Sequence, residues 1–250
     1  LPMEHNSRKF KGSVVFLGNQ VRDEESYQAM FNDLGSAPSS TVAGRVRDFV
    51  GLLPGFQVEV ADAVRASAQA LLMGIVTWIR LPKDQRPPRW KGLHDPVCPL
   101  VLALYGRPDA GTCWEAWCTE QVQRIGFVPF ENWPGCSVNR KRSALRSIHV
   151  DDFKLAAPRN EISAVSTSLR SLLSLEEPTQ VSRYLGCDMT RSEATLVPSA
   201  MPTKRLSGMR QETAAAKTVS VMTYDFASFV DSCVELYESL AKAGNKRWQT

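Results

Sequence analysis

The chain is predicted to be a mixed α+β fold, on three observations. Phe56-Gln57-Val58-Glu59-Val60-Ala61 alternates apolar and polar residues and ends on Asp62, the pattern of a half-buried strand. Directly behind it, residues 63–73 are rich in helix formers and stop at Gly74, the residue type that most often ends a helix in the left-handed conformation. Much later, Ser147-Ile148-His149-Val150 and Phe153-Lys154-Leu155 flank Asp151-Asp152, which reads as two short strands with an acid pair at the turn between them.

The other elements follow in chain order. Residues 11–17 read as a strand, and residues 36–50 as a helix started by Ser39 or Ser40 and stopped near Gly55. Residues 81–99 carry five prolines and are expected to hold little regular structure. Residues 112–125 form a helical pattern with Trp114, Trp117, Cys118, Val122 and Ile125 on one stripe, and the tryptophans are read as core. Residues 136–138 and 145–150 form a hairpin joined by Asn139-Arg140-Lys141-Arg142. Asn160 is expected to cap a helix whose stripe is Ile162, Val165, Leu169, Leu172 and Leu173. Residues 198–218 are polar and read as a linker, and Asp225 is expected to cap a last helix closed by Gly244, with Phe226, Phe229, Val230, Cys233, Tyr237 and Leu240 on one face.

Composition bounds this reading without deciding it. The chain has 250 residues, of which 43% are hydrophobic, enough for a sizeable core. Residues 1–150 hold 18 basic and 14 acidic side chains and residues 151–250 hold 12 of each, so the net +4 lies in the first part, a modest bias that suits a polyanionic partner. Six cysteines show neither a CxxC pair nor histidines at zinc-finger spacing, and they are read as free thiols of an intracellular protein. No apolar run is long enough to span a membrane and no signal peptide is evident. The chain opens on Leu1 and reads as a piece of a longer polyprotein.

The acids carry the chemistry. Two carboxylates at one tight turn repel each other, which raises the pKa of at least one unless a cation offsets the repulsion. A solvated Asp-Asp turn is the alternative for that dipeptide alone. Asp62, at the tip of the first strand, supplies a third acid. The order strand, acid, helix, then hairpin and acid pair is that of a polymerase palm, in which three carboxylates from neighbouring strands hold two Mg²⁺ ions.

The segment between the acids narrows this further. Val101-Leu102-Ala103-Leu104-Tyr105-Gly106-Arg107, with Trp114 in a helix ending at Ile125-Gly126-Phe127, resembles the ALYG…W…GF block of copia-type retrotransposon reverse transcriptases. His149-Val150-Asp151-Asp152 looks like that family's Tyr-Val-Asp-Asp box, Tyr184-Leu185-Gly186 like its primer-gripping segment, and Phe10-Lys11-Gly12 like its nucleotide-contacting finger strand. These blocks stand in the family's order from about residue 10 to residue 189.

The resemblance implies a palm, an antiparallel sheet with helices on one face, together with fingers and a small thumb-like helical end. Residues 1–55 and 75–110 would be fingers, 56–74 and 111–197 palm, and 198–250 linker and thumb-like helix. It implies an RNA-directed DNA polymerase, with Asp62, Asp151 and Asp152 as catalytic residues and ligands of two Mg²⁺ ions, Mn²⁺ being able to substitute. Lys11 would meet the β and γ phosphates, or is a surface lysine of an edge strand. Tyr105 and Gly106 would lie against the sugar and base of a deoxynucleoside triphosphate, and Arg140, Lys141 and Arg142 are either phosphate contacts or a solvated loop. The partners would be an RNA or DNA template with its primer, with integrase and RNase H elsewhere in the polyprotein. Two departures stand out: Ser67 occupies the place of an aromatic that excludes ribose, leaving the sugar pocket open, and His149 replaces the box tyrosine. They leave a degenerate, inactive domain of the same fold as the other reading, and a plain α+β interaction domain as a third.

Overall fold

The computed structural model describes residues 14–31, 39–196 and 216–247. Its strands are β1 (Phe56–Asp62), β2 (Trp78–Ile79), β3 (Cys98–Pro99), β4 (Val128–Phe130), β5 (Trp133–Asn139), β6 (Ala144–His149), β7 (Asp152–Pro158), β8 (Thr179–Gln180), β9 (Arg183–Tyr184), β10 (Cys187–Leu196) and β11 (Lys217–Asp225). Its helices are α1 (Thr41–Leu52), α2 (Ala110–Arg124), α3 (Ile162–Arg170) and α4 (Ala227–Arg247). The fold is mixed α+β with antiparallel sheets. The main sheet has the order β4-β5-β6-β7-β1-β8, and the remaining strands form the sheets β11-β10-β9 and β2-β3.

β7 is central, and the alternation of its side chains explains both layers. Phe153, Leu155 and Ala157 point to one face, where they are buried with Trp114, Cys118 and Val122 of α2 and Ile162, Val165 and Leu169 of α3. Lys154 points the other way, and its Nζ lies 2.6 Å from Asp48 of α1. The helices are therefore not confined to one face, contrary to expectation. Val58 of β1 lies so close under Gly51 of α1 that a side chain at residue 51 would collide with it, which explains a glycine inside that helix.

Several predicted boundaries agree with the structure. β1 spans the predicted residues, Ser40 caps α1 by accepting from the Ala43 amide at 3.2 Å, and Asp225 Oδ1 accepts from the Ala227 amide at 2.9 Å at the start of α4. Residues 81–99 hold only short 3₁₀ turns and the edge of the two-stranded ribbon.

Other expectations are corrected. Residues 63–73 are not an α-helix. The Ala63 amide donates to the Asp151 carbonyl at 2.8 Å and the Val64 amide to Ser174 at 2.9 Å, and Arg65 is left-handed at φ 53°, so only a 3₁₀ turn at Ala66–Gln69 remains. Those tertiary bonds outweigh a helix propensity that is weak over so short a run. Of the predicted strand 11–17, residues 11–13 lie outside the described residues and residues 14–17 are not a strand. Glu161 rather than Asn160 precedes α3, without a side-chain cap, and α4 runs through Gly244 to Arg247. Of the expected linker 198–218, residues 217 and 218 belong to β11, which pairs with β10 over nine residues from Leu196↔Lys217 to Asp188↔Asp225, a hairpin not foreseen.

Candidate functional site

At one end of the main sheet β1 and β7 finish side by side, with Asp62 directly opposite Asp152. Cross-strand partners in an antiparallel pair point to the same face with Cβ atoms about 5 Å apart, so the two carboxyls meet. His149 of β6 faces Asp152 from the other side. Asp151 lies in the two-residue turn between β6 and β7, and its carbonyl accepts the Ala63 amide, tying the turn to the end of β1. Asp62 and the Asp151-Asp152 pair, distant in sequence, are thus brought to one sheet end.

The turn itself is strained. Val150 sits at φ 59°, a conformation costly for a β-branched residue. It is held from α2 by the indole of Trp114, whose Nε1–H donates to the Val150 carbonyl at 2.6 Å. Trp114 is core, as predicted, stacked on Trp117 and edge-on to Phe153. Its second role, positioning the acid turn, was not legible in the helical stripe.

Burial and the carboxylates of Asp151 and Asp62, with a hydrogen bond to Asp62, push the Asp152 carboxyl up to about 6. Two carboxyls sharing one proton are an arrangement that a cation would replace, and an all-oxygen donor set suits a hard divalent ion such as Mg²⁺. Among the described residues, however, no three Asp, Glu, His or Cys side chains already converge as a finished metal cage.

Beside the turn is a cavity of about 210 Å³, lined by Ser67, Tyr105, Gly106, Arg107, Trp114 and Val150 among others. Ser67, Tyr105 and Gly106, picked out as nucleotide-contacting, therefore share one concavity that adjoins the acid turn. Gly106 is at φ 94°, and the backbone of Phe16 crosses it too closely for any side chain. The Phe16 amide donates to the Tyr105 carbonyl at 2.8 Å, so the segment from Val14 to Leu17 forms part of the surroundings of the cavity. Arg107 is buried against Asp109, at 2.9 Å, and against the Phe31 ring. Phe10, Lys11 and Gly12 lie outside the described residues.

Tyr184-Leu185-Gly186 joins β9 to β10 through a tight turn, with Leu185 at φ 49° and Gly186 at φ 77°. The Tyr184 hydroxyl reaches the Asp152 carbonyl at 3.4 Å, so this segment abuts the strand that begins with Asp152. On its far side the Phe229 ring of α4 packs over Gly186. Beneath Tyr184 lies a buried ionic group that sequence reasoning missed: Arg47 and Asp48 of α1 with Lys154 of β7. The apolar look of β7 hid it. Polarity in β6 has a similar explanation, because Arg146 is buried with Nε donating to Ser137 Oγ at 3.0 Å and the guanidinium stacked over the Phe153 ring.

The basic tip Arg140-Lys141-Arg142 is not part of this site. It joins β5 to β6 at the opposite end of the sheet from the acids, about 20 Å away along a six-residue strand. The six cysteines are free thiols, and no helix among the described residues is long and apolar enough to cross a membrane. No protein-family model matches the chain, and no curated protein and no solved structure matches it either.

Proposed function

We propose that this chain is an RNA-directed DNA polymerase domain of the copia type, built as palm, fingers and a thumb-like helical end. The observation that carries the reading is the meeting of Asp62, Asp152 and the Asp151 turn beside a cavity lined by Ser67, Tyr105 and Gly106. Five residue sets were singled out in the sequence: the acids, the cavity residues, the turn at 184–186, the segment Phe10-Lys11-Gly12 and the basic tip. The first three lie about one sheet end, which a plain interaction domain gives no reason to expect; the fourth lies outside the described residues, and the basic tip is at the far end.

On this reading the carboxylates of Asp62 and Asp151 hold the divalent ions, and Asp152 completes the acidic cluster. Bound there, two such ions would stabilise the charge on the attacking and leaving oxygens of an in-line displacement. The protein itself contributes positioning. The Tyr105 ring and the Gly106 backbone bound the nucleotide, Ser67 leaves room beside the sugar, and the Tyr184–Gly186 turn sets the primer end against the strand of Asp152.

A second reading, a domain of the same fold that binds nucleic acid without catalysis, is favoured by His149, Ser67 and the lack of a finished three-carboxylate cage among the described residues. Primer extension on an RNA template with Mg²⁺ separates the two. The polymerase reading expects extension that Asp151→Asn abolishes while template binding changes by less than about threefold, since phosphate contacts set affinity. Extension by neither form rejects the polymerase reading, and template binding by both then selects the second; extension that survives Asp151→Asn rejects the assigned site.

A further inference from the structure

The ionic group under Tyr184 lies outside everything assigned so far. Lys154 Nζ is 2.6 Å from Asp48 Oδ1, and the two side chains are 1% and 4% exposed. The same Nζ lies 3.3 Å from Met189 Sδ and 4.6 Å from the centre of the Tyr184 ring. Tyr224 donates its hydroxyl to Asp48 Oδ2 at 2.8 Å, and the Arg47 guanidinium stands 5.6 Å from the centre of the Tyr184 ring. One carboxylate and one ammonium thereby join five elements: α1, β7, β9, β10 and β11.

Such a group is a poor choice for stability alone. Taking both charges out of water costs several kcal/mol each, and apolar residues of similar volume commonly do as well or better. Two cations to one carboxylate make the group poorer still, since Arg47 Nε and Nη1 lack hydrogen-bond partners. What the ion pair does supply is direction. Lys154 is two residues beyond Asp152 on the same face of β7, opposite Ser147 of β6 and Val60 of β1, one row in from the acids. Its ammonium can approach both Asp48 and the Tyr184 ring only when the three-stranded sheet is seated in one place on the main sheet. An apolar contact would tolerate sliding.

We propose that the Asp48–Lys154 pair is a positioning device that seats the Tyr184–Gly186 turn against the strand of Asp152. This rests on the polymerase reading for its functional consequence, namely that the pair aligns a primer end with the acid cluster. It does not rest on that reading for the seating itself. The residues act through the turn and touch no substrate, so the expected loss is in turnover rather than in nucleotide affinity.

The test is the triple variant Arg47→Met/Asp48→Leu/Lys154→Met, which removes all three buried charges and leaves none of them unpaired. It is expected to melt cooperatively like the wild type. Amide exchange in residues 183–189 should rise at least tenfold, while exchange in residues 133–149 stays as it was. In primer extension, kcat for one added nucleotide should fall at least tenfold with KM for that nucleotide within twofold. Unchanged exchange at 183–189 overturns the proposal, and so does an unchanged kcat in an enzyme that extends primers. If the wild type extends nothing, the polymerase reading falls and the exchange data alone decide the seating. Should the triple variant not fold, Tyr224→Phe removes only the phenol bond to Asp48. It should raise exchange at 183–189 about threefold, and no change there would again overturn the proposal.

Discussion

Replacing Asp152 by asparagine should stabilise the metal-free protein at neutral pH. Asp152 is crowded by its own burial and by the carboxylates of Asp151 and Asp62, which push it from 3.8 to about 6. At about 1.4 kcal/mol per pH unit this is at most about 3 kcal/mol, and because the group keeps partial contact with solvent, about 1–2 kcal/mol is the working figure. The unfolded chain releases the proton near 3.8, while the folded chain keeps it up to about 6. Wild-type stability from this group is therefore fully present below about pH 4 and is lost as pH rises through 6. The carboxamide of the Asp152→Asn variant cannot ionise and still donates to Asp62, so the variant escapes the loss. In EDTA its melting temperature should exceed that of the wild type by roughly 2–8 °C at about pH 7.5, and the gap should close near pH 4. If the acids bind Mg²⁺ as proposed, the millimolar ion should raise the wild type more than the variant, since it would replace the shared proton. Equal melting at pH 7.5, or a gap that persists at pH 4, would show that the carboxyls do not meet as the register of β1 and β7 requires.

Two further outcomes are expected. Ser67→Phe should cut ribonucleotide incorporation relative to deoxynucleotide by one to two orders of magnitude, on the order of 1.4–3 kcal/mol for a clash with one hydroxyl, measured by single-nucleotide extension with each sugar. Trp114→Phe keeps most of the core contact but deletes the 2.6 Å bond to Val150. It should cost about 1 kcal/mol in urea denaturation and slow extension with template binding intact, and unchanged extension would mean that the strained turn holds itself.

Some elements were legible in the sequence and others were not, and the residues explain why. β1 alternates from Phe56 to Val60 and forms where predicted, and the β6–β7 hairpin forms too, although its turn is Val150-Asp151, one residue before the predicted Asp151-Asp152, and Asp152 opens β7. Residues 63–73 mislead because their helix propensity is local, while the bonds that decide the backbone come from Asp151 and Ser174, far along the chain. The β10–β11 hairpin escaped because Arg191, Ser192 and Glu193 carry no apolar alternation, and their strand is held by backbone pairing with Met222, Val221 and Ser220. Periodicity is silent on tertiary neighbours: nothing in the spacing of Tyr105 and Tyr184 says that the first shares a cavity with Val150 and that the second reaches the Asp152 carbonyl.

Lys154 and Val150 mark where sequence reading stops for a physical reason. Nothing around the lysine in Phe153-Lys154-Leu155-Ala156-Ala157 names a partner for it, yet it is 1% exposed and paired with Asp48. Burial and Arg47 pull its ammonium down to about 8 against the pull of Asp48, so the pair holds at neutral pH but with little reserve. Val150 reads as one more apolar strand residue, yet it turns the chain at φ 59° and is kept there by Trp114. Both residues break a local rule beside the same three acids, and each is held in place by a partner on another element. Strain and buried charge persist only where surrounding contacts over-determine them, and they gather where a fixed geometry matters more than stability. That two such exceptions flank Asp151 and Asp152, on opposite sides of the sheet, is the physical reason to regard this end of the molecule as a working site.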